Sequence, residues 1–561
     1  MKTACIASIV IASTAMAQTS GIPFEVIVQS NTPAPGGLQF DSFGIDDATV
    51  GSNRAVAFSA RTSSSDFSTT LIRPFTRQAG GALSEITLPL PVPFALFPTI
   101  LTPRIDDDGR VHVFAQVTDT FENFFAATDT TGTGTASVVF RETDPIPTTG
   151  EVPFSLFFGT RPDSLGRYAV SAQAFTNVPP FQLDAAWYAT PSGVESLLLS
   201  GDEIVPGSGV TIVNPRASVS SLDRTANGYI SRGGFGIPGE PSGDPNESGF
   251  ALVLDGVPLL DSPNFDEGDT LPGFGGRTFR VDFIDASFFN NAGAFAVSPR
   301  NALVSATVSV VGDPDAEFLG GFVLVDDQFG ARVIAVGDLP IQGTTFTDDV
   351  LIQRAQLSDD GRRVFIRGFD LKTDDVVLLY ADVDGVEFPD FEALTESDFV
   401  TLDPNSFFGG MTDDGRAYIA FNQIDPDVGI IRDTIVCEDG YGNLRQVVSW
   451  GDRPAIPGFY SEGNEFVGSI ELPGDERVTN RCGSILVKLA GGFSSNGRNT
   501  AMLRYDLPHP DRDCSGDLTS QDVLLFLSLA ESGSLEADAN GDGEVNFFDT
   551  LLQIGVVEAA N

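Results

Sequence analysis

Two twelve-residue segments near the C-terminus combine residue types and spacing that suit a hard divalent cation. The first places Asp511, Asp513, Ser515, Asp517, Thr519 and Asp522 at positions 1, 3, 5, 7, 9 and 12, with Gly516 at position 6. The second, 27 residues on, places Asp538, Asn540, Asp542, Glu544, Asn546 and Asp549 at the same positions, with Gly543 at 6. Calcium takes six to eight oxygen ligands, and alternate residues of a tight loop converge on it. Position 7 supplies a backbone carbonyl, and glycine at 6 permits the sharp turn. Two solvated acidic turns would have no reason to agree at all these positions, so the pattern predicts two calcium ions, one per loop. Each loop runs into an apolar stretch of helical character, Val523-Leu524-Leu525-Phe526-Leu527 and Thr550-Leu551-Leu552-Gln553-Ile554.

Other chemistry finds little support. The chain has two histidines, His112 and His509, so no Ser/His/Asp or Cys/His triad can be assembled. Paired carboxylates hydrolyse glycosides without histidine, but 77 acidic residues make any nominated pair arbitrary, and no catalytic residue is assigned. Sugar platforms present Trp or Tyr faces, and only Trp187 and Trp450 are present. The 45 Phe residues suit a core, since their rings need no polar partner. A net charge of -45 repels phosphate, which excludes nucleic acid and anionic membrane as partners and favours small cations.

The N-terminus reads as a signal peptide over residues 1–17. Lys2 is followed by an apolar run and by Ala15-Met16-Ala17, a small-x-small cleavage pattern. No later segment reaches the roughly 18 apolar residues that span a bilayer. A secreted or cell-surface protein is expected. Loss of Cys5 with the peptide leaves Cys437, Cys482 and Cys514. A Cys437–Cys482 bridge is expected with Cys514 outside it; the alternative is three buried thiols.

The elements that must carry these loops are short strands. Leu357-Ser358-Asp359-Asp360-Gly361-Arg362-Arg363-Val364-Phe365-Ile366 is nearly repeated around Gly415 and again around Gly109, with weaker copies at Gly51, Gly166, Gly228, Gly293 and Gly497. The mean interval is about 64 residues. Asp-Gly reverses the chain because glycine accepts positive φ and aspartate bonds its own backbone; the alternation that follows has the period of a strand. A unit of this length with about four strands predicts an all-β fold, a β-propeller of seven or eight blades with eight favoured, over residues 18–506. Tandem β-sandwiches would repeat near 100 residues. Residues 507–510 read as a linker and 511–561 as a small α-helical calcium-binding domain.

The Ser358-Asp359-Asp360-Gly361-Arg362-Arg363-Val364-Phe365 string resembles the repeat of TolB-type propellers, with Asp359 where that family has proline. Both calcium loops end in Asp at position 12 and lack an entering helix. In this they resemble a type I dockerin, over about Asp511 to Asn561. That resemblance implies calcium-dependent folding and docking to a cohesin-like module or cell-surface scaffold, as in assemblies that degrade polysaccharide. Its partner-contacting positions 10 and 11 fall on Ser520, Gln521, Phe547 and Phe548, where the family's Ser-Thr pair is absent. In style the chain resembles the exported, acidic, dockerin-bearing propeller proteins of planctomycete-type bacteria. The expected function is a non-catalytic binding or scaffold propeller. The alternative is a carbohydrate-active hydrolase or lyase with an acidic site on the propeller axis.

Overall fold

The computed structural model describes residues 22–51, 53–64, 70–89, 101–106, 108–116, 122–158, 166–177, 182–207, 209–212, 215–217, 226–232, 235–236, 248–254, 257–258, 264–284, 295–298, 300–312, 318–346, 350–358, 360–395, 408–412, 415–424, 431–449, 452–460, 467–472, 479–480, 482–491, 499–515 and 517–560. The segment read as a signal peptide, Trp450 and Gly516 lie outside them. Two compact units are formed, one from residues 1–119, 128–136 and 396–561, the other from 120–127 and 137–395.

The first unit holds three antiparallel meanders. An opening blade runs Gln39–Val50, Val56–Ser63, Thr70–Arg77 and Leu83–Thr87. A penultimate blade runs Phe408–Met411, Ala417–Ile424, Ile431–Glu438 and Leu444–Ser449. The closing blade has only three consecutive strands, Val467–Glu471, Ser484–Gly491 and Thr500–Asp506. Its fourth is Phe24–Gln29 from the start of the chain, with Phe24 opposite Tyr505 and Gln29 opposite Ala501. This unit also holds a hairpin, Leu101–Ile105 with Val111–Gln116, and a short strand, Gly134–Thr135, parallel to Leu83–Thr87.

The second unit has four sheets of four or more strands. Two are four-stranded meanders starting at Pro153–Phe158 and Val350–Leu357, one of five strands starts at Pro215–Ala217, and one of six strands starts at Thr270–Gly273, which runs parallel to Gly330–Val336. It also has a hairpin, Asn123–Ala127 with Ser137–Arg141. The described strands pair into repeated, mostly four-stranded sheets, and the fold is an all-β propeller with a small helical region at the C-terminus. Central strands such as Asp375–Asp382 are buried along nearly their whole length, as expected of sheets covered on both faces.

The repeated turns act in the structure as caps and blade-to-blade ties. Asp106 Oδ1 accepts from Arg110 N at 2.8 Å, Ser358 Oγ from Arg363 N at 2.9 Å, and Thr412 Oγ1 from Arg416 N at 2.7 Å. Asn301 Nδ2 donates to Gly361 O of the next blade at 2.7 Å, and Asn480 Nδ2 donates to Gly51 O at 2.7 Å. The eighth turn differs from the sequence reading. Gly497 lies outside the described residues, and the matching turn is Asn480 to Ser484, with Asn480 Oδ1 accepting from Ser484 N at 2.9 Å. Its Gly483, at φ 86°, stands 68 residues after Gly415, close to the usual interval.

Phenylalanines fill the cores. Phe40, Phe58 and Phe75 pack together within one cluster shared by the opening, penultimate and closing blades. Trp187 is fully buried against Phe140, so it offers no exposed sugar platform. His112 is buried in its strand, its Nε2 2.8 Å from Asp106 Oδ2.

The expected Cys437–Cys482 bridge is not formed. Cys482 pairs instead with Cys514, their Cα atoms 5.3 Å apart. Cys437 points into the core of the penultimate blade, whereas Cys482 sits in the closing blade's first turn, which lies against the first calcium-type loop. The segment read as a linker is also built in: Leu507 and His509 are buried, Leu507 N donates to Gly483 O, and Pro508 O accepts from Gly440 N.

Candidate calcium centre

Helix α1, Ser520–Glu531, and helix α2, Phe547–Ala560, each begin at the end of one acidic loop. Position 12 does the same work in both. Asp522 Oδ1 accepts from Asp513 N at 3.2 Å and its Oδ2 from Thr519 N at 2.7 Å. Asp549 Oδ1 accepts from Asn540 N at 3.0 Å and its Oδ2 from Asn546 N at 2.8 Å. In loop terms these are positions 3 and 9 in each copy. Position 3 also matches, because Asp513 Oδ1 and Asn540 Oδ1 each accept from the N–H of position 5 at 3.0 Å. Position 9 caps each helix: Thr519 Oγ1 accepts from Gln521 N and Asn546 Oδ1 from Phe548 N.

In the first loop the carboxylates of Asp511, Asp513 and Asp522 come within 4.8 Å of one another, and Asp511 and Asp522 are buried. Hydrogen bonding from Ser515 holds the Asp513 carboxyl below the usual carboxylate range, so it stays ionised. Carboxylate oxygens gathered this closely form a set that one cation can join. An all-oxygen set of carboxylates, hydroxyls and carbonyls suits calcium in preference to a softer metal. Ser515 and Asp517 are exposed, as are Asp542 and Glu544 of the second loop.

The second loop holds its first ligand differently. Asp538 Oδ1 accepts from Gly541 N at 3.0 Å, and its Oδ2 accepts from Gly543 N at 3.1 Å and from Arg445 Nη1 at 2.8 Å. Arg445 comes from the penultimate blade and also binds the buried Asp439, Nε to Oδ2, at 2.6 Å. Burial opposes the guanidinium's charge, but Asp439 and Asp538 outweigh it and raise its pKa.

No protein-family model and no curated protein matches the chain. Among solved structures it is similar to the β-propeller domain of the Trilobed protease from Pyrococcus furiosus, at 11% identity and TM-score 0.36, covering 72% of this chain and 97% of that one. Pyrococcus horikoshii acylaminoacyl peptidase is similar at 11% identity and TM-score 0.35, over 73% of this chain and 54% of that one. The α-L-arabinofuranosidase Arb93A from Fusarium graminearum follows at 10% identity and TM-score 0.26, over 60% of this chain and 92% of that one. Likeness this low carries no activity across, and the fold rests on the strand pairing above.

The helical region is joined to the propeller through residues that the sequence reading passes over. Tyr441 Oη bonds Gln553, and burial pushes the Tyr441 hydroxyl up to about 12. Asn443 Nδ2 donates to Ala539 O at 3.1 Å, and Arg54 pairs with Glu536 at 3.7 Å. Arg512 turns from the first loop to Glu536 O at 2.6 Å and lies over the Phe526 ring. Nothing local marks these partners, since Asp439-Gly440-Tyr441-Gly442-Asn443 reads as one more hairpin turn. Ser520, Gln521, Phe547 and Phe548 all face solvent, Phe547 and Phe548 at 68% and 69% exposure. Leu524, Leu527, Leu551 and Leu552 on the same two helices are exposed as well. Among the described residues no helix is long and apolar enough to cross a membrane.

Proposed function

We propose that this protein is an exported, non-catalytic propeller whose C-terminal module binds two calcium ions and docks to a cohesin-like module or surface scaffold. The observation that carries the reading is the matched scaffold of the two loops, in which positions 3, 9 and 12 repeat the same side-chain to backbone bonds. Asp511, Asp513, Ser515, Asp517, Thr519 and Asp522 serve one ion. Asp538, Asn540, Asp542, Glu544, Asn546 and Asp549 serve the other. Position 7 contributes its carbonyl in each.

Export is supported by the Cys482–Cys514 bridge, since disulfides persist in oxidising compartments. Docking is supported by the exposure of Phe547 and Phe548, whose rings lie against each other, and of Leu524 and Leu551 on the same two helices. Isothermal titration of the full chain tests the calcium reading: two binding events are expected, with one lost in Asp511→Ala and the other in Asp538→Ala. A chain that takes up no calcium at millimolar concentration overturns it. Titration of a purified cohesin module, with calcium and then with chelator, tests the partner.

A further inference from the structure

We propose that the Cys482–Cys514 disulfide is a redox-dependent determinant of calcium affinity at the first loop alone; this rests on the calcium reading above. Cys514 is position 4 of that loop and has φ 61°, while position 4 of the second loop, Gly541, has φ 79°. Both loops therefore need left-handed backbone at this point. Glycine adopts it freely, whereas a residue with a Cβ is strained there. The second loop meets the need with glycine and the first with a cysteine held from outside.

The holding point is rigid. Cys482 is fully buried, its N–H donates to Asn480 Oδ1 at 3.0 Å, and Asn480 is itself bonded to Gly51 O of the opening blade. Cys514 lies between Asp513 and Ser515, loop positions 3 and 5, and Asp513 is one of the three carboxylates gathered within 4.8 Å. The bridge thus fixes the left-handed residue between two ligand positions and keeps the converging carboxylates in place for the ion. A dithiol reductant transfers two electrons and two protons to the bridge, giving two thiols and its own cyclic disulfide. The loop is then free to relax at Cys514. By linkage, calcium must protect the bridge from reduction to the degree that the bridge favours calcium.

Calcium titration in single-loop backgrounds of the full chain tests this. With the second loop disabled by Asp538→Ala, adding Cys482→Ala should weaken the remaining site about tenfold, roughly 1.4 kcal/mol. With the first loop disabled by Asp511→Ala, the same change should leave affinity unaltered. Changing Cys514→Gly together with Cys482→Ala should recover part of the loss. Equal affinity with and without the bridge, or equal weakening of both loops, overturns the proposal. No calcium uptake by the unaltered chain instead overturns the calcium reading itself. A second measurement needs no variant: calcium should slow reduction of Cys514 by a dithiol, read by alkylation and peptide mass, and an unchanged rate counts against the coupling.

Discussion

Arg445 holds Asp439 through Nε and both the carboxylate and the carbonyl of Asp538 through its two terminal nitrogens. Asp439 is wholly buried, so Arg445→Met leaves a charge without its counter-ion, a change that costs about 3–5 kcal/mol. Chemical denaturation should show that loss, and Arg445→Lys should not restore it, because an ammonium cannot match the fork. Asp433 offers a pH test. Burial raises its carboxyl pKa, with nearby Glu471 adding to this and the Ile470 N–H opposing. A raised folded pKa means that its contribution is present below the ordinary aspartate range and is lost as pH rises through the folded value. Asp433→Asn should therefore stabilise the chain near pH 7 by less than about 1 kcal/mol, the group being partly solvated. Thermal melts at pH 7 and below pH 4 should show that gain vanishing in acid.

At the scale of turns and strands, the Asp-Gly motif encodes chain reversal, and the structure adds a tie to the neighbouring blade. Asn480 serves both ends: its side chain accepts from Cys482 N and Ser484 N and donates to Gly51 O. Asn480→Ala should cost about 1–3 kcal/mol, since buried backbone groups lose their partners. Equilibrium unfolding measures this, and a loss confined to a few tenths would mean that the turn caps nothing of consequence. Gly361, at φ 70° with Ser298 and Asn301 packed against it, should tolerate alanine poorly for two reasons, strained backbone and absent space. The turn at Gly483 shows where such reading stops. Its sequence, Asn480-Arg481-Cys482-Gly483, lacks the acidic pair, so only the strand pairing of the closing blade identifies it.

For the molecule, closure of the propeller and attachment of the helical region meet in one place. The closing blade borrows Phe24–Gln29, and from its last consecutive strand the chain passes through buried Leu507 to His509 into the first loop. Truncation after Asp506 strips partners from Arg54, Tyr441, Arg445 and Cys482. Calorimetry should find the propeller's unfolding temperature lowered, where a freely tethered module would leave it unchanged. In the full chain, calcium at a hundredfold excess over its dissociation constant should stabilise by about 2.7 kcal/mol per site. Melting with calcium and with chelator reads this directly.

The sequence by itself determined the repeat, the strand class and the two loops, because each depends on residues within a dozen positions of one another. Ligand spacing in a tight loop and Asp-Gly at a reversal are local geometry. The N-terminal strand in the closing blade, the Cys482–Cys514 pairing and the Arg445–Asp538 contact were decided by tertiary structure alone. Each joins residues whose proximity is set by how the blades stack, and the spacing of three cysteines holds no record of that.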